Sequence, residues 1–379
     1  MNIFIWAPFL QKVGTTSNVE NLINSFLKFS NKKDFKIDLI NVFGEWDNYE
    51  FHDERLNKVS LLKFKFLKEN KKKGFLISRI YTILIIIFSI IPLFRLLKKN
   101  NYDFLFVHLI TSLPIFLNGL IKKNGKLILS IAGFPKLTFL RSFYWKLFQK
   151  NIYRIICPSN ETKNLLLKKK IFIEQKLKVI KDPHISARKI IKKFRKIDKK
   201  FNERNNIISI GRLTNQKNYF FLLEAFKEIL NLRNNLHLTI IGEGENKQMI
   251  KKKIIDLGII NSVSLLGYQD NIYKYLNNSL CYFSASLWEG PDLAMLDAAF
   301  LNVPIICSDC PSGRKEFIDD NKRGYIFKTN DMKSLIEVYK IFFKDDQLNL
   351  KKKLIEAKKE VKNFTQFRYH LNLKNILDN

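Results

Sequence analysis

Short apolar, β-branched runs alternate with longer stretches in which apolar residues recur every three or four positions. In the first half the runs "NIFIWAP" (2–8), "FKIDLINVF" (35–43), "DFLFVHL" (103–109), "KLILSIAG" (126–133) and "RIICPS" (154–159) predict strands, and "VSLLKFKF" (59–66) a further one. Helical spacing predicts helices over 17–29, 75–97, 113–123 and 138–150. Strands that alternate with helices imply β-α-β units and a mainly parallel sheet. Around 187–206 the pattern dissolves into charge and predicts a connection. It then resumes with "NIISIGR" (206–212), "LHLTIIG" (236–242), "VSLLG" (263–267), "CYFSAS" (281–286) and "PIICSD" (304–309), with helices near 218–231, 246–257, 270–278 and 291–302. The segment 346–379 is helical in pattern with no strand left to pair.

The expectation is therefore two doubly wound α/β domains, Rossmann-like, facing each other across a cleft at the carboxyl ends of their sheets, where ligands bind in such folds. The first spans 1–185, the second 186–361, and a C-terminal helix near 362–379 packs back on the first. A length of 379 residues suits two cores, and 46% apolar residues with 33 phenylalanines fill them, which excludes wholesale disorder.

Charge adds to this picture. The formal net charge is +31, and residues 1–190 hold 34 Lys/Arg against 13 Asp/Glu. Such a surface attracts phosphates on nucleic acid, anionic lipid or a diphosphate-linked substrate. No nucleic-acid-binding module accompanies the dispersed lysines. The longest apolar run, 80–94, is 15 residues long, contains Pro92, and falls short of the about 20 needed to span a bilayer. Its first reading is a buried helix of an α/β domain; its second is a helix lying in the membrane interface, with Arg79, Arg95, Lys98 and Lys99 at headgroup level. Of the four cysteines, Cys307 and Cys310 form a lone C-x-x-C without the further ligands of a zinc site, so no metal is expected; a reducing cytosol suits them.

The candidate chemistry gathers where strands end. Arg212 and Lys217 follow "NIISIG", and a guanidinium fork with a mobile ammonium can converge on a diphosphate. Gly242 and Gly244 permit a tight turn and close ligand approach. In "SLWEGPDLAMLDAAF" Glu289 lies in a loop and Asp297 about two turns into a helix, with Gly290 and Pro291 at the turn and first-turn amides of Asp292, Leu293 and Ala294 available to a phosphate. In the first half, Gly14 with Thr15, Thr16 and Ser17 lies between a strand and a helix, and His108 ends a strand.

Taken together, a strand, "GR", a lysine five residues on, a later G-x-G, "S-x-W-E-G" with an acid eight positions after the glutamate, and "SDCPSGRKEF" resemble the retaining glycosyltransferases of family 4. That resemblance covers 205–330 specifically and 1–185 more loosely, and implies the GT-B fold. It implies that Arg212 and Lys217 bind the diphosphate of a nucleotide-sugar, that Glu289 contacts the donor sugar, and that Asp297 holds the ribose, on a side chain one methylene shorter than the usual glutamate. It implies that the amides after Gly290 help bind phosphate and that Gly242, Glu243 and the segment of Tyr268 line the nucleotide pocket. Glu316 falls in its last motif, with capping or structural bonding as alternatives. Ala132 and Gly133 stand where several members carry a histidine, a place His108 can take. The implied activity is sugar transfer to a hydroxyl of a glycan or lipid-diphosphate-linked glycan, without a cofactor, in surface polysaccharide biosynthesis. The basic first half and the apolar run at 80–94 suit a setting that is cytoplasmic or peripheral on the inner, anionic face of the cytoplasmic membrane, and no nucleic-acid partner is expected. A nucleotide-sugar epimerase of the same fold and a catalytically weakened binding subunit are the competing readings.

Overall fold

The computed structural model describes residues 1–10, 14–31, 34–62, 75–121, 125–194, 205–290, 292–311 and 313–378, excluding the side chains of 75–78 and 194. Two compact units emerge: Met1–Pro183 with Gln366–Asn379, and His184–Thr365.

Among the described residues the first unit is built on seven strands: β1 (Asn2–Trp6), β2 (Lys36–Asn41), β3 (Leu56–Ser60), β4 (Phe104–Val107), β5 (Lys126–Ser130), β6 (Arg154–Cys157) and β7 (Leu177–Val179). All pair in parallel, in the order β3-β2-β1-β4-β5-β6-β7, with Ile5 beside Leu39 on one side and Phe106 on the other. Alternate residues feed opposite faces: Phe4, Trp6, Leu105 and Val107 join one core, Ile3, Ile5, Phe104 and Phe106 the other. A parallel sheet covered on both faces needs such continuous apolar strands. The C-terminal helix Gln366–Leu377 lies in this unit against the helix Gly14–Phe29: Tyr369, Leu373 and Ile376 enter its core, and Gln366 donates to Asn21 at 2.8 Å.

The second unit repeats the plan with β8 (Asn206–Ile210), β9 (His237–Ile241), β10 (Val263–Leu265), β11 (Cys281–Ser284), β12 (Ile305–Ser308) and β13 (Tyr325–Phe327), all parallel in the order β10-β9-β8-β11-β12-β13. Strand order reverses between β1 and β4 in the first sheet and between β8 and β11 in the second. Each reversal opens a crevice at the strands' carboxyl ends.

The structure departs from the sequence reading in several places, among them the helices Asn160–Lys168 and Met332–Lys344, which the pattern did not single out. The three-residue edge strands β7 and β13 were not foreseen. The third strand covers 56–60 rather than 59–66, whose last four residues lie outside the described set. Within 187–206 a helix forms at Ala187–Phe194, while 195–204 lie outside the described residues. Lastly, the helix Phe75–Lys99 continues through Pro92, and its stretch Arg79–Lys99 is long and apolar enough to cross a membrane by length and composition. The expectation of a buried helix is overturned there: Ile85, Ser89, Leu93 and Leu97 face inward, while Ile80, Ile83, Ile87 and Ile91 are exposed.

Candidate functional site

At the strand-order reversal of the second sheet, three loops bring four charged side chains together. After β8 the chain passes Gly211 and a single helical turn, Asn215–Lys217, before Asn218, in left-handed conformation at φ 54°, starts the helix Tyr219–Leu232. Asparagine tolerates that conformation better than most residues. A Cβ on Gly211 would lie 2.5 Å from Cε of Lys217, so the glycine leaves room for the lysine to fold back over the strand end. Gly242 has φ 153°, and a Cβ there would lie 1.9 Å from the carbonyl oxygen of Gly211. The two loop backbones therefore touch, and only glycine fits.

After β11, the loop 285–290 is stitched to the first loop: Leu287 donates to the carbonyl of Gln216 at 2.8 Å, and the Gln216 amide to that of Trp288 at 2.8 Å. This places Glu289 with Oε1 2.7 Å from Nζ of Lys217. Asp292 caps the helix Leu293–Phe300, accepting from the amide of Met295 at 3.5 Å and from the Tyr282 hydroxyl at 3.0 Å, with Lys217 3.6 Å away. Beyond β12, Arg314 is wholly buried. Its guanidinium donates to Asp292, to the hydroxyls of Ser284 (2.6 Å) and Ser308 (2.9 Å), and lies 3.7 Å from Glu289.

Two cations and two carboxylates thus compensate one another in a buried cluster. Burial by itself opposes every one of these charges. For Lys217, burial is outweighed by Asp292 and Glu289, which push its pKa above the ordinary lysine value. For Asp292, burial is outweighed by Lys217 and Arg314, which hold its carboxyl below the usual range. Burial of Arg314 is likewise outweighed, chiefly by Asp292, and its pKa lies well above the ordinary one. Arg212, five residues from Lys217, is exposed and makes no ion pair among the described residues.

The other predicted residues fall as follows. Gly290 and Leu293 are half-buried and Ala294 is buried beside this cluster, but the helix entrance is filled by the carboxylate of Asp292 rather than left as bare amides. Pro291 lies outside the described residues. Asp297 is buried, with Oδ2 3.1 Å from Nε2 of His184. Glu243 pairs with Lys247 at 2.6 Å beside Gly267, and the exposed Tyr268 donates to Asp270 at 3.1 Å. Gly14 begins the first helix of the first unit. His108 follows β4 in that unit, and burial pushes its pKa down to about 4. Its Nε2, buried, has no hydrogen-bond partner among the described residues. It lines a cavity of about 620 Å³ together with Thr111, Tyr144 and Lys136. The next residues are strained: Ile110 has φ 47°, costly for a β-branched residue, and the Trp6 indole donates to the carbonyls of Leu109 (2.9 Å) and Ile110 (3.2 Å).

Sequence reasoning passed over Arg314 and His184. Glu316, which it singled out, is half-buried on the helix Arg314–Ile318. All four cysteines are buried free thiols, and burial pushes Cys310 up to about 11 and Cys307 to about 12.

A family model for glycosyl transferases group 1 matches residues 190–361, nearly the whole second unit. The second unit is thus similar to the group 1 glycosyl transferases over the matched residues. An uncharacterized glycosyltransferase of Methanocaldococcus jannaschii is 32% identical over 220 residues, 54% of this chain and 53% of that protein, so the match spans about half of the relative's length. The UDP-Gal:alpha-D-GlcNAc-diphosphoundecaprenol alpha-1,3-galactosyltransferase of Escherichia coli is 28% identical over 291 residues, 70% of this chain and 72% of that one. Among solved structures, the lipopolysaccharide outer core galactosyltransferase WaaB superposes with a TM-score of 0.73 at 16% identity, over 100% of this chain and 99% of the other. The Anabaena protein HepE in complex with UDP gives 0.71 at 10% identity, over 100% of both chains. At such identities the structural likeness establishes the fold alone: two Rossmann-like domains of the GT-B type.

Proposed function

We propose that the protein transfers a sugar from a nucleotide-diphosphate-sugar to a hydroxyl of a glycan or lipid-linked glycan, with retention at the anomeric carbon. The observation that carries the reading is the cluster of Lys217, Glu289, Asp292 and Arg314 at the strand-order reversal of the second sheet, with Arg212 on the same loop as Lys217. Transfer passes through an oxocarbenium-like state as a diphosphate departs. Negative charge grows on the leaving oxygen, and Arg212 with Lys217 stabilises it; preorganised charges of this kind act with little reorganisation. Those cations fill the part that a divalent ion plays elsewhere, so the reading requires neither metal nor cofactor. Glu289 faces the sugar, hydrogen-bonds its hydroxyls and offsets positive charge at the anomeric carbon. The leaving phosphate takes the acceptor proton. Asp297, held on one oxygen by His184, takes a ribose hydroxyl on the other.

Support for a lipid-linked acceptor comes from relatives whose names specify diphosphoundecaprenol-linked glycans. The test is a thermal-shift screen of nucleotides and nucleotide-sugars, followed by transfer assays with the stabilising donor. One nucleoside diphosphate should raise Tm in the native chain and fail to do so in Lys217→Ala. Absence of any nucleotide effect, or conversion of the donor sugar to its epimer without acceptor, would overturn the proposal.

A further inference from the structure

The first unit carries an apolar surface that its own fold leaves uncovered. On the helix Phe75–Lys99 the residues Ile85, Ser89, Leu93 and Leu97, spaced four apart, face the core. The opposite stripe, Ile80, Ile83, Ile87 and Ile91, is equally apolar and 55–60% exposed. A soluble surface helix normally carries polar residues there. Two further helices extend this surface. Phe116 and Leu120 are exposed on Ser112–Ile121, and on Phe139–Phe148 the exposed Phe139, Phe143 and Leu147 recur at four-residue spacing around the buried Trp145. Phe139, at 82% exposure, stacks its ring on that of Phe143, with centroids 6.3 Å apart. Phe116 meets Phe148 edge to face at 5.8 Å, which ties the second helix to the third. The first and third helices wall one cavity, through Thr82, Ile86, Leu140 and Tyr144. The three helices are therefore neighbours, and their exposed residues make a patch far beyond scattered surface hydrophobes.

Charge selects the occupant. Between residues 75 and 150 the chain has eleven Lys/Arg and one acid, Asp103. Arg79, Arg95, Lys98 and Lys99 belong to the first helix, Arg141 and Lys146 to the third, and all are exposed. A symmetric pairing with a second copy would set this basic surface against itself. We infer that this face docks on an anionic bilayer, with the isoleucine and phenylalanine stripes among the acyl chains and the basic residues at the phosphates. Apolar area and electrostatic attraction then add, as they do for interfacial helices. A bilayer held there brings lipid headgroups to the cavity that contains His108. Docking stands apart from the proposed reaction, since it is measured without donor or acceptor.

The experiment is flotation of the full chain with vesicles of phosphatidylcholine, with and without phosphatidylglycerol, at low and high salt. Two variants accompany it, Ile83→Ser with Ile87→Ser and Phe139→Ser with Phe143→Ser. Their positions are exposed, so Tm should stay within a few degrees. The native chain should float with the anionic vesicles, less with the neutral ones and less at high salt, and each variant should lose about tenfold or more in partition. A chain that stays unbound at low salt, or variants that float like the native chain, would overturn the inference. So would resistance to alkaline carbonate extraction, which marks a spanning helix. A dimer that the same substitutions dissociate would replace the bilayer with a second copy.

Discussion

Replacing Arg314 by methionine removes one member of the buried charge cluster at nearly constant volume. Arg314 is fully buried and Asp292 is 1% exposed, so no solvent screens what remains. The carboxylate of Asp292 would keep the Tyr282 hydroxyl at 3.0 Å and Lys217 at 3.6 Å, but lose its closest cation; Ser284 and Ser308 would lose a donor. Breaking a buried pair from one side costs about 3–5 kcal/mol. In a unit this size each kcal/mol moves Tm by about 2–4 °C, so the fall should be roughly 6–20 °C. Adding Asp292→Asn should recover at least half of it. The amide still caps the helix and accepts from Tyr282, while the uncompensated charge is gone. The assay is thermal unfolding of both variants beside the native chain, at neutral pH. A fall below about 2 °C for Arg314→Met, or a double variant less stable than the single, would refute the view that charge compensation holds these loops in place.

The same cluster sets an acid limit. Because the carboxyl of Asp292 is held below its unfolded value, its contribution is complete above the ordinary carboxylate pKa near 4 and is lost as pH falls through the depressed value. Asp292→Asn should therefore flatten the stability curve of the second unit between about pH 4 and 2, measured by denaturant midpoints against pH. Gly211→Ala would place Cβ 2.5 Å from Cε of Lys217. It should displace the lysine, cut sugar transfer about tenfold or more and lower Tm as Glu289 and Asp292 lose a buried cation, as steady-state kinetics beside a melt will show. Gly242→Ala would meet backbone at 1.9 Å instead, and should cost stability by more than about 2 kcal/mol in denaturant titration. For His108, pushed down to about 4 from 6.5, the unfolded chain binds the proton more readily. The first unit should lose stability as pH falls from 6.5 to about 4, and the His108 resonance should not titrate above pH 5 by NMR.

Strands buried on both faces announce themselves as unbroken apolar runs, so ten of the thirteen among the described residues were legible at nearly their observed places. The edge strands β7 and β13 were not, because three residues at a sheet margin carry too little pattern to distinguish them from a loop. Lys217 and Glu289 were legible through their spacing relative to strand ends. Their direct pairing was not, because it depends on Gly211 letting the lysine fold back. Arg314 stands in the polar run "SGRKEF", which reads as surface; its burial comes with Ser308, six residues before it, and with Ser284 and Asp292, partners distant in sequence. His184 gave a weaker hint as one of only five histidines, beside a connection between units. For the helix 75–99, an apolar composition on every side reads as burial, and only the structure shows which stripe the fold covers.

In the proposed reaction the cluster around Lys217 and Glu289 performs sugar transfer. Its most direct measurement is transfer from the stabilising nucleotide-sugar by the native chain and by Glu289→Gln, which keeps the side chain's shape and removes its charge. Transfer by the native chain should retain the anomeric configuration, and kcat should fall about a hundredfold or more in the variant, assayed well below the lowered Tm that the loss of a buried partner of Lys217 brings. Equal turnover by a folded Glu289→Gln variant, or inversion at the anomeric carbon, would contradict it.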